Sequence, residues 1–284
     1  MNTRPGTPLV FVLCIGLAWV WMGTVAAAEL SVAAATNMAG LQRMLTQRIG
    51  KAYCQVGLGI EPQNSREQLF EAVELFDTQL AELQAFAPNS QVRNALAQVK
   101  QLWVPYKVAA TGPVTKDGAR QVAYWSDDLL HASHKVVQLL QDTSNTPYAR
   151  LVNVSGRQRM LSQRLAKLYM LQVWGFDTLT IRDEIESAVN EFTGALAVLQ
   201  GAPENTNDIR RQLMIVARDW TWLRKALNMA GTDPFPETLA GVSESVLLNM
   251  DRITKLYEEL AEKGQRPPAV RRKSTSGSKT DTTR

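Results

Sequence analysis

A segment of 17 residues occurs twice in this chain, and the duplication constrains the fold more than any other feature. Asn37–Tyr53 reads NMAGLQRMLTQRIGKAY, and Asn153–Tyr169, 116 positions later, reads NVSGRQRMLSQRLAKLY. Ten of the 17 aligned positions are identical. A repeat of this kind predicts two equivalent modules, each built around one copy of the segment.

The repeated segment divides into two faces when it is drawn as a helix. Apolar side chains share one face, as in a helix that packs on a core: Met38, Leu41, Leu45, Ile49, Ala52 and Tyr53. The opposite face holds most of the identical positions: Asn37, Gly40, Arg43, Met44, Gln47, Arg48 and Lys51. A face that only meets water does not need the same glycine, glutamine and arginines twice. We therefore expect this polar face to bind something.

Apolar residues recur at helical spacing in the rest of the chain, and no segment alternates with period two for long enough to predict a sheet. We predict an all-α fold with two tandem modules of four up-and-down helices each. Ser65 and Gln68 predict a capping box at the start of the second helix, and Thr180 with Asp183 predicts the cap of the sixth. Pro105 is expected to end or kink the third helix.

The domain plan begins with an export signal. Residues 8–25 are uncharged, follow Arg4 and lead into three alanines, a pattern typical of a signal peptide cleaved before Glu29. This predicts a periplasmic protein, and an uncleaved N-terminal anchor is the alternative because the apolar run is long. The predicted divisions are a signal peptide at 1–28, modules at 29–143 and 147–263, and a basic tail at 264–284.

The charge balance argues against a nucleic-acid-binding domain. The chain has 31 basic and 27 acidic residues. Removing Arg4 and the tail, which holds six basic residues and one acid, leaves 24 basic and 26 acidic residues between 29 and 263. The positive charge therefore lies in the tail, which is too polar to build a core and is expected to be disordered. Cleavage would leave Cys54 as the only cysteine, so no intrachain disulfide is expected.

The motif Asn-x-x-Gly-x-Gln-Arg-Met-Leu-Ser/Thr-Gln-Arg resembles that of the PilJ-type module, the periplasmic input domain of type IV pilus chemotaxis transducers. It is also similar to a segment of NarX-type nitrate/nitrite sensor kinases. The resemblance covers both halves and implies four-helix bundles that bind nitrate or nitrite. It implies that Arg43 and Arg159 contact the ligand, and that Gly40 and Gly156 allow a close approach. Further ligand-binding candidates on the motif are Asn37, Asn153, Gln47, Gln163, Arg48 and Arg164, with Lys51 and Lys167 less favoured.

A guanidinium suits nitrate because both groups are planar and the donors of one match the acceptors of the other. In NarX-type relatives the site lies where the first helices of two subunits meet. We therefore hypothesise an internal pseudo-dimer, in which Arg43 and Arg159 face each other across a pseudo-twofold axis with one anion between them. The alternative is an end-to-end arrangement, which would require residues 140–150 to form one unbroken helix.

The sequence leaves two functions open. The first is a sensor-type protein that signals through a separate membrane or chemotaxis partner, because no kinase or methyl-accepting region follows the eighth predicted helix. The second is a structural or assembly protein without a ligand, in which the repeated faces are protein interfaces. In the structural interpretation the motif arginines form salt bridges, with Asp127, Asp128, Glu244 or Asp251 as candidate partners. A homo-oligomer is compatible with either.

We expect neither a metal, a cofactor nor catalysis. Asp127, His131 and His134 have the spacing of a metal-binding helix face, but the second copy does not repeat them. Two surface histidines are the preferred interpretation. The sequence has no glycine-rich phosphate loop and no CxxCH haem motif.

Overall fold

The computed structural model describes residues 30–143, 147–176, 178–228 and 235–265. The predicted signal peptide lies outside the described residues, as does all of the predicted tail except its first two residues. The described residues form helices and short connections, without a strand. The all-α prediction is confirmed.

Eight helices make up the described part of the chain, four in each half. They are α1 Val32–Leu58, α2 Pro62–Phe86, α3 Ser90–Thr111, α4 Lys116–Asp142, α5 Pro147–Val173, α6 Leu179–Gln200, α7 Asn207–Asn228 and α8 Pro236–Gln265.

The start of α2 differs from the prediction. The helix begins at Pro62, directly after Glu61, whose backbone is left-handed with φ 40°. Ser65 is already inside the first turn, and its hydroxyl donates to the Ile60 carbonyl at 2.8 Å. The predicted capping box at Ser65 is therefore wrong: an N-cap at Ser65 would start the helix at Arg66, and the proline at the first helical position starts it four residues earlier.

Two further helix signals can be compared with the structure: for Pro105 the end of the helix is excluded and a kink stays a prediction, and the cap of the sixth helix differs from the prediction. Pro105 lies inside α3, which continues to Thr111 rather than ending there. Helix α6 starts at Leu179 because the hydroxyl of Thr178 accepts a hydrogen bond from the Ile181 N–H at 3.2 Å. The helix cap is thus Thr178 and not Thr180.

The two halves repeat the same packing. In the first half, α1 packs against α2 and α4, and α3 packs on α4. In the second half, α5 packs against α6 and α8, and α7 packs on α8. The aromatic contacts are repeated as well: Phe76 stacks on Trp103 with ring centroids 4.0 Å apart, and Phe192 stacks on Trp220 at the same distance. The duplication seen in the sequence is therefore a duplication of the core.

Helices α1 and α5 run parallel, side by side, at the centre of the molecule. Their contacts advance together: Gly40 lies beside Arg159, Gly50 beside Lys167, and Gly57 beside Trp174. Helix α4 ends at Asp142 and α5 begins at Pro147, so residues 140–150 do not form one helix. The modules pack as the predicted internal pseudo-dimer.

None of the helices in the described residues combines the length and the hydropathy that crossing a membrane would require.

Candidate functional site

The repeated polar face is buried where the two modules meet. Arg43, Arg159 and Lys51 have no exposed surface, and Lys167 is 1% exposed. The face packs against the other copy of the motif and against α4 or α8. The repeated polar face therefore contacts, above all, the other half of the same chain.

Arg43 and Arg159 each reach across the pseudo-twofold axis to the other module. Nη2 of Arg43 donates to the Asn153 carbonyl at 3.3 Å. Nη2 of Arg159 donates to Asn37, at 3.4 Å to the carbonyl and 2.8 Å to the side-chain oxygen. Each arginine therefore contacts the asparagine of the other module, but Arg159 also bonds the side chain of Asn37 whereas Arg43 bonds only the backbone of Asn153.

Gly40 and Gly156 lie directly beside these guanidinium groups. A Cβ atom added to Gly40 would lie 3.3 Å from Nη2 of Arg159 and 3.5 Å from Nη2 of Arg43. The corresponding distances for Gly156 are 3.2 and 3.5 Å. The helices approach this closely because neither residue carries a side chain. The structure thus gathers six of the predicted site residues at the axis: Asn37, Gly40, Arg43, Asn153, Gly156 and Arg159.

The outer ends of the two arginines have different partners. Nη1 of Arg159 lies 2.5 Å from a carboxylate oxygen of Asp251. Nη1 of Arg43 lies 3.0 Å from Nδ1 of His134. His134 and Asp251 are equivalent residues of α4 and α8, 117 positions apart. Within the described ranges no carboxylate forms an ion pair with Arg43.

The two asparagines repeat this asymmetry. The amide of Asn37 donates to the carboxylate of Glu258, whereas the amide of Asn153 donates to Oε1 of Gln141 at 2.5 Å. Gln141 and Glu258 are again equivalent positions. The side-chain oxygen of Asn153 has no hydrogen-bond partner among the residues that the structure describes. At these two positions, α8 supplies two carboxylates and α4 supplies none.

Burial and like charge act together on the first-module arginine. Burial lowers the pKa of Arg43 below its ordinary value, and the charges of Arg157 and Arg159 lower it further, with only a smaller opposing effect from Glu191, which forms no ion pair with Arg43 in the described residues. Burial also lowers the pKa of Arg159, but there Asp251 acts in the opposite direction. The guanidinium of Arg43 is therefore the less compensated of the two.

His134 is held in its neutral form beside Arg43. Burial, followed by the charge of Arg43, lowers the pKa of His134 to about 4. An arginine has only donors, so Nδ1 of His134 must accept the hydrogen bond and the ring proton lies on Nε2. The ring offers Arg43 a lone pair but no negative charge.

Gln47 and Gln163 lie one turn beyond the arginines and bond within their own modules. Nε2 of Gln47 donates to the Ser126 carbonyl of α4 at 3.4 Å, and Nε2 of Gln163 donates to the Ser243 carbonyl of α8 at 3.2 Å. The structure does not bring these two side chains into the group at the axis.

Arg48 and Arg164 form salt bridges. Nη1 of Arg48 lies 2.6 Å from Glu244 of the other module. Arg164 lies 2.9 Å from Glu184 and 3.4 Å from Asp127. With Arg159 and Asp251, three of the four motif arginines have the acidic partners that the structural interpretation requires. Arg43 does not.

A groove of about 250 Å³ opens beside His134, between α4, α5 and α6. Its charged and titratable lining residues are His131, His134, Arg157, Arg164, Glu184 and Glu191. Arg157 pairs with Glu191, with Nη2 and Oε2 2.9 Å apart. His134 therefore lies between this groove and the guanidinium of Arg43.

Sequence reasoning missed the role of His134. It predicted two surface histidines, and His131 is indeed exposed, with Nδ1 2.8 Å from the Asp127 carbonyl. His134 is only partly exposed and contacts a buried arginine. The available signal was the alignment of His134 with Asp251, a charged residue at the equivalent position of the second copy. In the part of the chain that the structure describes, no group of three or more potential ligands could hold a metal ion.

Comparison with known proteins gives one match. The family model PilJ, described as the N-terminal part of type IV pili methyl-accepting chemotaxis transducers, matches residues 25–125 and 143–246. Each matched segment contains one copy of the repeated motif. No curated protein and no solved structure matches the chain.

Proposed function

The chain belongs to the PilJ family, and on that premise we propose that it is the receptor part of a sensory system. It is exported, binds a small oxyanion, nitrate or nitrite, at the motif arginines, and passes its occupancy to a separate membrane or chemotaxis partner. The matched family is described as the N-terminal part of a chemotaxis transducer, and the proposed function includes no catalytic step.

The observation that carries this proposal is the environment of Arg43. Its guanidinium has no exposed surface, lies close to that of Arg159, and has no carboxylate partner in the described part of the chain. A buried charge without a counter-charge is strongly unfavourable. A bound anion would supply that counter-charge, so its binding stabilises the folded protein.

The size of the ligand sets the affinity that is compatible with this proposal. At about −1.5 kcal/mol for each heavy atom, a ligand of four atoms such as nitrate gains roughly −6 kcal/mol, a dissociation constant of tens of micromolar. We expect affinities in this range or weaker. A nanomolar affinity for nitrate would contradict a site that offers only contacts to the anion itself.

The test is a titration of the purified protein with nitrate, nitrite and chloride at constant ionic strength, followed by melting temperature and by binding heat. Nitrate or nitrite should stabilise the protein saturably, by about 2.7 kcal/mol at 100 times the dissociation constant. Chloride should not, and Arg43→Ala should abolish the response. Arg211→Ala is the matched control, because the Arg211 side chain is 63% exposed and pairs with Asp208 on the surface. If none of the three anions stabilises the wild-type protein, the proposal is refuted.

A structural or assembly protein remains the second candidate, and the salt bridges favour it. Arg48 and Lys51 pair with Glu244, and Arg164 and Lys167 pair with Asp127, so most of the repeated face joins the modules. This function predicts that Arg43→Ala changes stability equally with and without nitrate. The same titration therefore separates the two candidates.

Export is tested by the mass of the protein recovered from the producing cells. Cleavage before Glu29 removes residues 1–28 and gives a periplasmic protein. Retention of these residues in a membrane fraction would instead support an N-terminal anchor.

A further inference from the structure

We propose that the anion site is confined to the first module: one anion binds Arg43 in the place now taken by His134, and Asp251 fills the equivalent place on Arg159. This inference rests on the proposed anion-binding function and specifies where the site lies. It predicts one anion per chain, although the chain has two motif arginines.

The two arginines provide an internal comparison. Arg43 and Arg159 are equivalent, equally buried and in contact with the same pair of glycines. At Arg159 the outer nitrogen meets a carboxylate at 2.5 Å. At Arg43 the equivalent nitrogen meets a neutral imidazole at 3.0 Å. In the second module the outer nitrogen of the arginine therefore binds an anionic group, the carboxylate of Asp251. In the first module the equivalent nitrogen has a neutral partner instead.

The asparagines strengthen the distinction. Glu258 accepts from the amide of Asn37, and the side-chain oxygen of Asn37 lies 2.8 Å from Arg159. On the other side Arg43 reaches only the backbone carbonyl of Asn153, at 3.3 Å. In the described residues Arg43 thus has two hydrogen bonds against three for Arg159, and the contact of its outer nitrogen is longer, so it keeps capacity for a ligand.

The chemistry of the replaced group names the class of ligand. A carboxylate is a planar anion with two acceptor oxygens, and nitrate and nitrite present the same geometry to a guanidinium. An imidazole occupies more room than a carboxylate. When the ring turns away, the space beside Arg43 is therefore large enough for a small planar oxyanion.

The groove provides both the route and the room for this movement. His134 lines the groove on one side and contacts Arg43 on the other. Rotation of the ring into the groove, which has a volume of about 250 Å³, exposes Nη1 of Arg43 to it. Arg157 and Arg164 also line the groove, each paired with a carboxylate of the same lining, Glu191 and Glu184, so these four side chains add no net charge to the route.

The experiment first changes His134 and Asp251 separately. His134→Asp gives Arg43 the carboxylate that Arg159 already has, so nitrate should bind at least tenfold more weakly and the melting temperature without nitrate should rise. Asp251→Ala removes the carboxylate and empties its place on Arg159, so the stoichiometry measured by binding heat should rise from one to two nitrate ions per chain. Circular dichroism checks that each variant is folded.

Two further variants keep the test decisive. Gln138→Asp adds the same charge at an exposed position one turn further along α4 and should leave nitrate affinity within about twofold of wild type. The exchange of both residues, His134→Asp with Asp251→His, keeps the formal charge and should move the site. Nitrate binding would then be lost with Arg159→Ala instead of Arg43→Ala.

The outcomes separate the inference from the proposed function. A wild-type protein that responds to no anion overturns both. A wild-type protein that binds nitrate, with unchanged binding in His134→Asp, overturns this inference and leaves the proposed function standing.

Discussion

The ammonium group of Lys51 in the first module contacts a carboxylate oxygen of Glu244 in the second. The Lys51 side chain has no exposed surface, and that of Glu244 is 23% exposed. Arg48 donates to the same carboxylate at 2.6 Å. One acid therefore balances two positive charges at the interface between the modules.

Glu244→Gln should destabilise the protein by about 3 kcal/mol, because it leaves Lys51 buried without a counter-charge. Urea denaturation followed by circular dichroism measures the free energy of unfolding. Asp127→Asn is the matched control in the other half: Asp127 lies 3.4 Å from Lys167, which also donates to the Ser126 hydroxyl at 2.9 Å. Asp127→Asn should lower the free energy of unfolding by less than Glu244→Gln does. Equal losses would show that the contact of Lys51 is not the stronger one.

His134 should make stability depend on pH. Burial and then Arg43 lower the pKa of His134 to about 4, against roughly 6.5 in an unfolded chain. Between these values the unfolded state binds more protons, so the free energy of unfolding falls as the pH drops from about 6.5 to about 4. The other groups that act on the ring are Arg157, Glu191 and His131.

The measurement for this pH effect is the difference in unfolding free energy between wild type and His134→Asn from pH 7 to pH 4.5. Wild type should lose more stability than the variant as the pH falls. Parallel curves would mean that His134 does not carry the effect.

Gly57 marks a close contact at the far end of the paired helices. A Cβ atom there would lie 2.0 Å from the ring of Trp174, so Gly57→Ala should destabilise the protein by about 1–3 kcal/mol despite the higher helix propensity of alanine. Gly241→Ala in α8 is the control, because a Cβ there meets no atom within 4 Å. It should stabilise the protein by up to about 1 kcal/mol. Thermal unfolding of both variants provides the comparison.

Cys54 should be inert in the folded protein. Its side chain is 2% exposed, and burial raises the pKa of the thiol to about 12, against the opposing effect of Lys167. Iodoacetamide at pH 8 should modify Cys54 only after unfolding in urea, as measured by peptide mass. Leu248→Cys places a thiol at a position that is 67% exposed in wild type and should react in the native state. Modification of native Cys54 at a similar rate would contradict the burial described.

Most of the architecture could be predicted from the sequence, because duplication and helical periodicity can both be recognised within short segments. The pairing of Phe76 with Trp103 and of Phe192 with Trp220 follows from apolar spacing that recurs in both halves. Helix starts were less predictable. Ser65 and Thr180 are ordinary capping residues by type, but Pro62 and Thr178 lie earlier and start the helices first.

The candidate site was only partly predictable for a different reason. The motif placed Arg43 and Arg159 together, and the structure has them beside the same glycines. The contact of Arg43 with His134 joins residues 91 positions apart, and no periodicity within one helix reveals it. Only a comparison of the two copies, with histidine in one and Asp251 in the other, could have indicated it.

The covalent joining of the two halves bears on how such a site can change. In a dimer of identical chains every substitution appears on both sides of the twofold axis, so an aspartate at this position would come in pairs, and so would a histidine. A duplicated chain escapes that rule, because one mutation alters one side only. His134 and Asp251 are a difference that a symmetric homodimer could not encode. Gene duplication thus lets the two halves of one chain place different side chains against equivalent arginines.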